Sequence, residues 1–289
     1  MRVRALGSFS GGLDGMVAAS VLRSQGIDVE LATFESPFFS SREGKEAASR
    51  LGLPWRELDF TSEIMELLGN PPSGFGKNLN PCIDCHAGMF GILRRIAEEE
   101  GFDLIFSGEV LGQRPMSQNR NSLNRVARLS GCGRLLLRPL SARLLPETEA
   151  EEKGLVDRSR LLDISGRGRK RQVQLAEVFG FTYRNPGGGC LLTEPNYCSR
   201  LKVLMEIPGL LTPGRARLAR YGRFFRLSSD TVCLVGRCEE DNTALESLAR
   251  GEPTFSLEDV PGPTGVLIGD PSMLPELEVL VRKYAGVRD

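Results

Sequence analysis

The segment Ser10-Gly11-Gly12-Leu13-Asp14-Gly15 constrains this chain most. It follows the apolar run Val3 to Phe9 and precedes Met16-Val17-Ala18-Ala19-Ser20-Val21-Leu22, which together read as strand, glycine turn and helix. Glycines let backbone N–H groups approach a phosphate closely, and the first free N–H groups of the following helix point at it, helped by the helix dipole. A phosphate-binding turn on an α/β sheet is therefore the first expectation.

The pattern of elements extends that reading. Strands are expected at Arg4–Phe9, Val29–Phe34, Trp55–Phe60 and Leu104–Phe106, with a further one at 135–140. Helices are expected at Gly15–Gln25, Arg42–Arg50, Thr61–Leu68, Ile83–Glu99 and Val173–Gly180. Such alternation predicts a doubly wound, mostly parallel sheet with helices on both faces, and ligands at the carboxyl ends of its strands. A Gly-, Asn- and Pro-rich loop covers Gly69 to Pro81. After a helix at Tyr197–Met205 the character changes: short strands at Phe224–Leu227, Val232–Val235, Thr254–Leu257 and Val266–Ile268, with helices at Asn242–Ala249 and Pro275–Tyr284, read as a small α+β module. The expected domains are 1–207 and 214–289.

Composition narrows the class. The chain has 289 residues, 40% of them hydrophobic and 26% charged, as in ordinary globular proteins. Its start lacks the apolar run of a secretory signal, and no stretch approaches the roughly 18 apolar residues of a membrane span, so a cytoplasmic protein without membrane contact is expected. Net charge is zero, with 37 basic and 37 acidic residues, but the charges are unevenly placed. No Asp or Glu lies between Glu109 and Glu147, whereas Arg114, Arg120, Arg125, Arg128, Arg134, Arg138 and Arg143 do. A second cluster is Arg158, Arg160, Arg167, Arg169, Lys170 and Arg171. Basic faces of this kind can bind a phosphate backbone; Arg114, Arg120, Arg125, Arg128, Arg167, Arg169, Lys170 and Arg171 are the candidate RNA contacts.

Seven cysteines in such a chain point to metal or redox chemistry more than to a disulfide framework. Asn80-Pro81-Cys82-Ile83-Asp84-Cys85-His86 places two thiols three apart at the start of a predicted helix, where the dipole favours thiolate. Cys190 follows Gly187-Gly188-Gly189, a run able to bring its thiol near a distant site. Three thiols suit an iron–sulfur cluster with one open iron; a fourth ligand from Cys198 or His86 would suit zinc. A dithiol acting through persulfide is the metal-free alternative. His86 is the only histidine, which excludes His-rich metal sites.

The Ser10–Gly15 segment resembles the SGGxDS signature of the PP-loop ATP pyrophosphatases, with Gly15 in place of the final serine. It is neither a Walker A loop nor a Rossmann fingerprint. Gly108-Glu109-Val110-Leu111-Gly112-Gln113 with Ser117-Gln118 is similar to the GExLGQ…SQ segment of 4-thiouridine synthetases, and Asn80-Pro81-Cys82 with Cys85 is similar to the NPCxxC of 2-thiouridylases. The resemblance covers about residues 1–200. The tail, through Gly222–Leu227 and Val235-Gly236-Arg237, weakly resembles an RNA-binding module of ribosome-quality-control proteins.

The resemblance implies an adenine nucleotide α-hydrolase-like fold and ATP-dependent thiolation of a tRNA uridine. A base carbonyl is adenylated with release of pyrophosphate, and sulfur then displaces AMP. It implies ATP and Mg²⁺, with Ser8, Ser10, Gly11, Gly12, Asp14 and Gly15 at the phosphates, Thr33 and Phe34 at adenine, and Gly108, Glu109 and Gln113 lining the site. Cys82 and Cys190, with Asp14, are the catalytic candidates. Cys82, Cys85 and Cys190 are the candidate ligands of a 4Fe–4S cluster, with zinc as alternative. Expected partners are tRNA and a sulfur donor, whether sulfide, a cysteine desulfurase or a carrier protein; a homodimer is allowed. Two other readings remain at this point: a related enzyme acting on a small molecule or cofactor, and a non-catalytic RNA-binding protein stapled by zinc.

Overall fold

In the computed structural model, which describes residues 2–184, 189–258 and 260–286, the chain divides into two units, Met1–Gly189 and Cys190–Asp289. The division falls after Gly189 and not at 208–213, so the helix expected near 197–205 groups with the tail.

The first unit runs β1 (Arg4–Ser8), α1 (Leu13–Ser24), β2 (Asp28–Glu35), α2 (Arg42–Leu51), β3 (Trp55–Asp59), α3 (Thr61–Gly69), α4 (Cys82–Glu100), β4 (Leu104–Ser107), α5 (Arg120–Leu129), β5 (Leu136–Leu137), α6 (Glu149–Glu152) and α7 (Lys170–Phe179). The sheet is five-stranded, in the order β3-β2-β1-β4-β5, and every pairing is parallel. Ser8 lies level with Ala32 on one side and Ser107 on the other. The strand order therefore reverses at β1, with β2 to one side and β4 to the other, and the crevice at such a switch point is where open α/β sheets take ligands.

β1 and β4 are buried on both faces, as parallel strands under helices must be. α1 is buried nearly all round: Met16, Val17, Ala18, Ala19 and Leu22 are inaccessible, consistent with a helix held between the sheet and α7. α5, which no strong sequence signal announced, is capped by the Asn119 side chain accepting from Ser122 N, and buries only Ser122, Leu123 and Val126. The run expected as a strand over 135–140 is mostly irregular: a 3₁₀ turn at Gly133–Leu135 precedes a two-residue β5.

The second unit runs α8 (Pro195–Glu206), α9 (Pro213–Leu218), β6 (Arg223–Arg226), β7 (Val232–Val235), α10 (Glu239–Leu248), β8 (Thr254–Phe255), β9 (Gly265–Ile268) and α11 (Leu274–Ala285). Its antiparallel sheet has the order β6-β7-β9-β8. Cys233, Val235 and Leu267 pack against Leu277 and Val281 of α11, with Phe225 at the margin of that core. Among the described residues no helix is long and apolar enough to cross a membrane.

Candidate functional site

The turn after β1 is built by close backbone approach. Gly11 has φ +81°, and a Cβ there would stand 2.4 Å from the carbonyl oxygen of Glu43, so α2 begins directly against the turn. Gly12 caps α1 with extended backbone and offers no side-chain acceptor to the helix, leaving its first N–H groups for a ligand. Gly108, just past β4, touches the other side: a Cβ on it would lie 2.5 Å from Gly15 N. Gly15 faces Phe9, whose ring would be 3.0 Å from an added Cβ. The missing serine of the signature thus has a steric counterpart, since a buried phenyl ring occupies the space beside it.

Asp14 is the charged centre of this crevice. Gln113 Nε2 donates to its Oδ2 at 2.6 Å, and Arg169 Nη2 lies 3.8 Å from the same oxygen. Its Oδ1 is buried and has no hydrogen-bond partner among the described residues. A carboxylate oxygen in that state calls for a cation or a strong donor. Behind Gln113 stands the fully buried Gln172, whose Nε2 is 3.4 Å from Gln113 Oε1 and whose own Oε1 is unpartnered. Both Arg169 and Gln172 come from the start of α7, brought there by the segment Ser165-Gly166, where Gly166 N donates to Leu111 O at 2.8 Å. Arg169, read from the sequence as a candidate RNA contact, therefore stands beside the glycine turn. Gln172 carried no motif and was missed; it lies just ahead of the helix start expected at Val173.

Glu109, just past β4, is held by three side chains. Its carboxylate is buried, Oε2 accepts from Arg138 Nε at 2.8 Å and from Ser107 Oγ at 3.2 Å, and Oε1 lies 3.0 Å from His86 Nδ1. Burial pushes this carboxyl up, but the Arg138 guanidinium and the His86 hydrogen bond outweigh it and hold Glu109 at about 2. Arg138 also donates to Leu123 O, so one carboxylate joins α4, β4, α5 and the segment after β5. With both oxygens engaged, Glu109 organises the site's walls.

The adenine candidates are also committed to packing. Thr33 is buried and accepts from Trp55 Nε1 at 2.9 Å. The Phe34 ring meets Phe60 edge-on, with centroids 5.6 Å apart. Ser8 is half-buried at the same sheet edge and Ser10 is exposed.

The two thiols lie in the first turn of α4, Cys82 half-buried and Cys85 buried. Asn80 Nδ2 donates to Cys82 Sγ at 3.2 Å. Asp84, between them, clasps Ser73 through its backbone N at 2.7 Å and its hydroxyl at 2.5 Å, fixing the preceding loop on the helix. Cys190 belongs to the second unit. Gly187 and Gly188 lie outside the described residues. Among the described residues no group of three or more His, Cys, Asp or Glu side chains could hold a metal ion. Of the expected ligands, Cys82 and Cys85 lie in the first unit and Cys190 in the second.

The basic residues divide into two kinds. Arg171 pairs with Asp163 at 2.6 Å, and Arg120 donates to Leu144 O. Arg114, Arg125, Arg128, Arg167 and Lys170 are exposed and have no carboxylate partner among the described residues. α5 carries Arg120, Arg125 and Arg128 on its solvent face and begins after the loop that contains Gln113 and Arg114.

Residues 2–143 match the family model described as thiamine biosynthesis protein (ThiI). The chain is similar to the tRNA-specific 2-thiouridylase MnmA of Bradyrhizobium sp. (strain ORS 278), at 28% identity over 142 residues, covering 43% of this chain and 36% of that protein. It is also similar to the MnmA of Clostridium acetobutylicum, at 31% identity over 127 residues, covering 37% of this chain and 36% of the relative. The chain spans about a third of the length of these curated relatives. Among solved structures, a 4-thiouridine synthetase–RNA complex with bound ATP aligns with a TM-score of 0.40 at 22% identity, covering 62% of this chain and 51% of that one. The glycine turn at the switch point of a parallel sheet, together with the family-model match over residues 2–143, makes the N-terminal unit similar to the PP-loop ATP pyrophosphatases, among which are tRNA-thiolating enzymes.

Proposed function

We propose that this protein thiolates RNA, with a tRNA uridine as the substrate class, by ATP-dependent adenylation of a base carbonyl followed by sulfur displacement of AMP. The observation that carries the reading is the Asp14 centre: an unpartnered buried carboxylate oxygen at a glycine turn and helix N-terminus, flanked by Gln113 and Arg169. The family match and the tRNA-thiolating relatives support the choice of substrate.

In this reading the N–H groups of Gly11, Gly12 and the start of α1 hold the phosphates that leave as pyrophosphate. Asp14 Oδ1 fits Mg²⁺, which when bound neutralises charge developing on the phosphates. Gln113 keeps Asp14 oriented, and Arg169 adds a positive charge on the leaving-group side. Adenine is read by backbone at the end of β2. A uracil carbonyl oxygen leaves poorly; as an AMP ester it leaves well. Cys82, which accepts a hydrogen bond from Asn80, is the sulfur carrier of this unit: the terminal sulfur of a Cys82 persulfide attacks the activated carbon as AMP leaves, and a reductant of the dithiol class then attacks Cys82 Sγ, breaking the S–S bond so that its electron pair and the outer sulfur stay with the base. The unpaired arginines of α5 and of the loop before it, with Arg167 and Lys170, hold the RNA backbone.

The test is release of pyrophosphate and AMP from ATP with and without bulk tRNA. The proposal expects formation of AMP, not ADP, stimulated by RNA and abolished by Asp14→Asn. AMP formation that ignores RNA but responds to a small acceptor would favour the small-molecule reading.

A further inference from the structure

The second unit carries a pair of thiols of its own. After Cys190 the chain turns through a 3₁₀ segment, Leu191–Thr193, in which Thr193 donates to Cys190 O through N at 2.9 Å and Oγ1 at 2.7 Å. It then enters α8, where Cys198 sits in the first turn with its N donating to Glu194 O. The Cys198 thiol folds back on that turn, 3.2 Å from Leu192 O and 3.8 Å from Leu191 O, against the two residues that directly follow Cys190. Tyr197 stands at the same place, buried, with its hydroxyl donating to Ala216 O at 2.7 Å. Burial pushes the Tyr197 phenol up, and charge on Cys190 and on Cys198 pushes it further, so both sulfurs act on one hydroxyl. The unit's other two cysteines are apart from this group: Cys233 is inaccessible in β7, its thiol pushed up to about 12 by burial, and Cys238 is exposed before α10.

We propose that Cys190 and Cys198 form a reversible disulfide within the C-terminal unit, with the half-buried Cys190 as the sulfur-accepting thiol and the buried Cys198 as its resolving partner. The role in sulfur handling rests on the thiolation reading; the disulfide itself does not. A donor of the sulfane-sulfur class leaves a Cys190 persulfide. The Cys198 sulfur then attacks Cys190 Sγ, the Sγ–S bond breaks, and its electron pair leaves with the outer sulfur. That sulfur keeps its own hydrogen and takes the Cys198 proton, so hydrogen sulfide departs and a Cys190–Cys198 disulfide remains. A reductant of the dithiol class restores both thiols. Only seven residues separate the pair, so closing the bond constrains little chain.

Residues 185–200 form one tryptic peptide, bounded by Arg184 and Arg200, that contains both cysteines and no other. The full-length protein is reduced, desalted, treated with inorganic polysulfide, alkylated and digested. The proposal expects this peptide to be lighter by two hydrogens and unalkylated, reverting on treatment with dithiothreitol. Cys198→Ser, which keeps a donor for Leu192 O, leaves Cys190 persulfidated in the peptide and lowers sulfide release by about tenfold. Cys233→Ser changes neither. Recovery of the wild-type peptide with two alkylated cysteines, or with Cys190 joined to another peptide, overturns the proposal. A disulfide that forms in a protein that never thiolates RNA would instead overturn the thiolation reading alone.

Discussion

Gln113 Nε2 donates a 2.6 Å hydrogen bond to Asp14 Oδ2, joining the loop after β4 to the first turn of α1 across the switch point of the sheet. The bond orients one carboxylate oxygen and leaves the other, Oδ1, buried and unpartnered. Gln113→Glu sets a second carboxylate against the first and removes the donor. AMP formation is expected to fall by about 100-fold, the scale seen when one aligned polar group is lost from an active site. Steady-state kinetics with ATP as the varied substrate check this, with circular dichroism confirming that the fold persists.

Phe9 explains the glycine at the end of the signature. A Cβ at Gly15 would lie 3.0 Å from Phe9 Cδ2 and 3.3 Å from Cε2, in a buried corner. Gly15→Ser, which introduces the serine of the SGGxDS pattern, is expected to destabilise the protein by about 1–2 kcal/mol through overpacking. In the Phe9→Leu background the same substitution should cost distinctly less. Urea denaturation of the four proteins in the cycle reads the coupling.

Glu109 and Arg138 form the buried charge pair on which the site's walls converge, with His86 on the second oxygen. Glu109→Gln leaves the Arg138 charge buried without its counter-ion and is expected to cost about 3–5 kcal/mol. The carboxyl is held at about 2 when folded, below its ordinary value. Its contribution is therefore full above the unfolded value of about 4.3 and is lost as pH falls from there towards 2, amounting to about 3 kcal/mol across that window. Wild-type stability should drop steeply between about pH 4.5 and 2, while Glu109→Gln, already weakened, drops less over the same range.

Two arginines from the basic clusters should separate by assay. Arg128 is exposed on α5 without an acidic partner among the described residues, whereas Arg169 lies 3.8 Å from Asp14 Oδ2. Arg128→Ala should weaken tRNA binding and lower the salt slope by about one unit, without changing ATP turnover once tRNA saturates. Arg169→Ala should reduce AMP formation at saturating tRNA. Arg171→Ala, which removes a charge already paired with Asp163, should alter neither by much. Filter binding over a salt series and single-turnover AMP formation distinguish the three.

The strand, turn and helix at Ser10–Gly15 were legible in the sequence because glycine spacing and a flanking apolar run report local backbone needs. So was the parallel sheet, through the regular alternation of elements. What stayed hidden depends on partners distant in the chain. Nothing near Gly15 announces that Phe9 fills the space beside it, and nothing near Arg138 announces a buried guanidinium, since an arginine in an apolar run reads as a surface residue. Arg169 was grouped with its neighbours by charge, and only the packing of α7 on α1 brings it to Asp14. Gln172 has no motif at all. α5 was missed because its buried face is only Ser122, Leu123 and Val126, too narrow a stripe beside its many arginines. Thr33 and Phe34 stand at the expected sheet edge, but their side chains are spent on Trp55 and Phe60.

The most direct test of the account counts products. The full-length protein is incubated with ATP, Mg²⁺, unmodified bulk tRNA and a sulfane-sulfur donor, and AMP is measured alongside thiolated nucleosides by mass spectrometry of digested RNA. The account predicts one thiouridine per AMP, with both products lost in Asp14→Asn and only the thiouridine lost in Cys82→Ser. Thiouridine without AMP, or AMP formed with no sulfur entering RNA at any donor concentration, would contradict it.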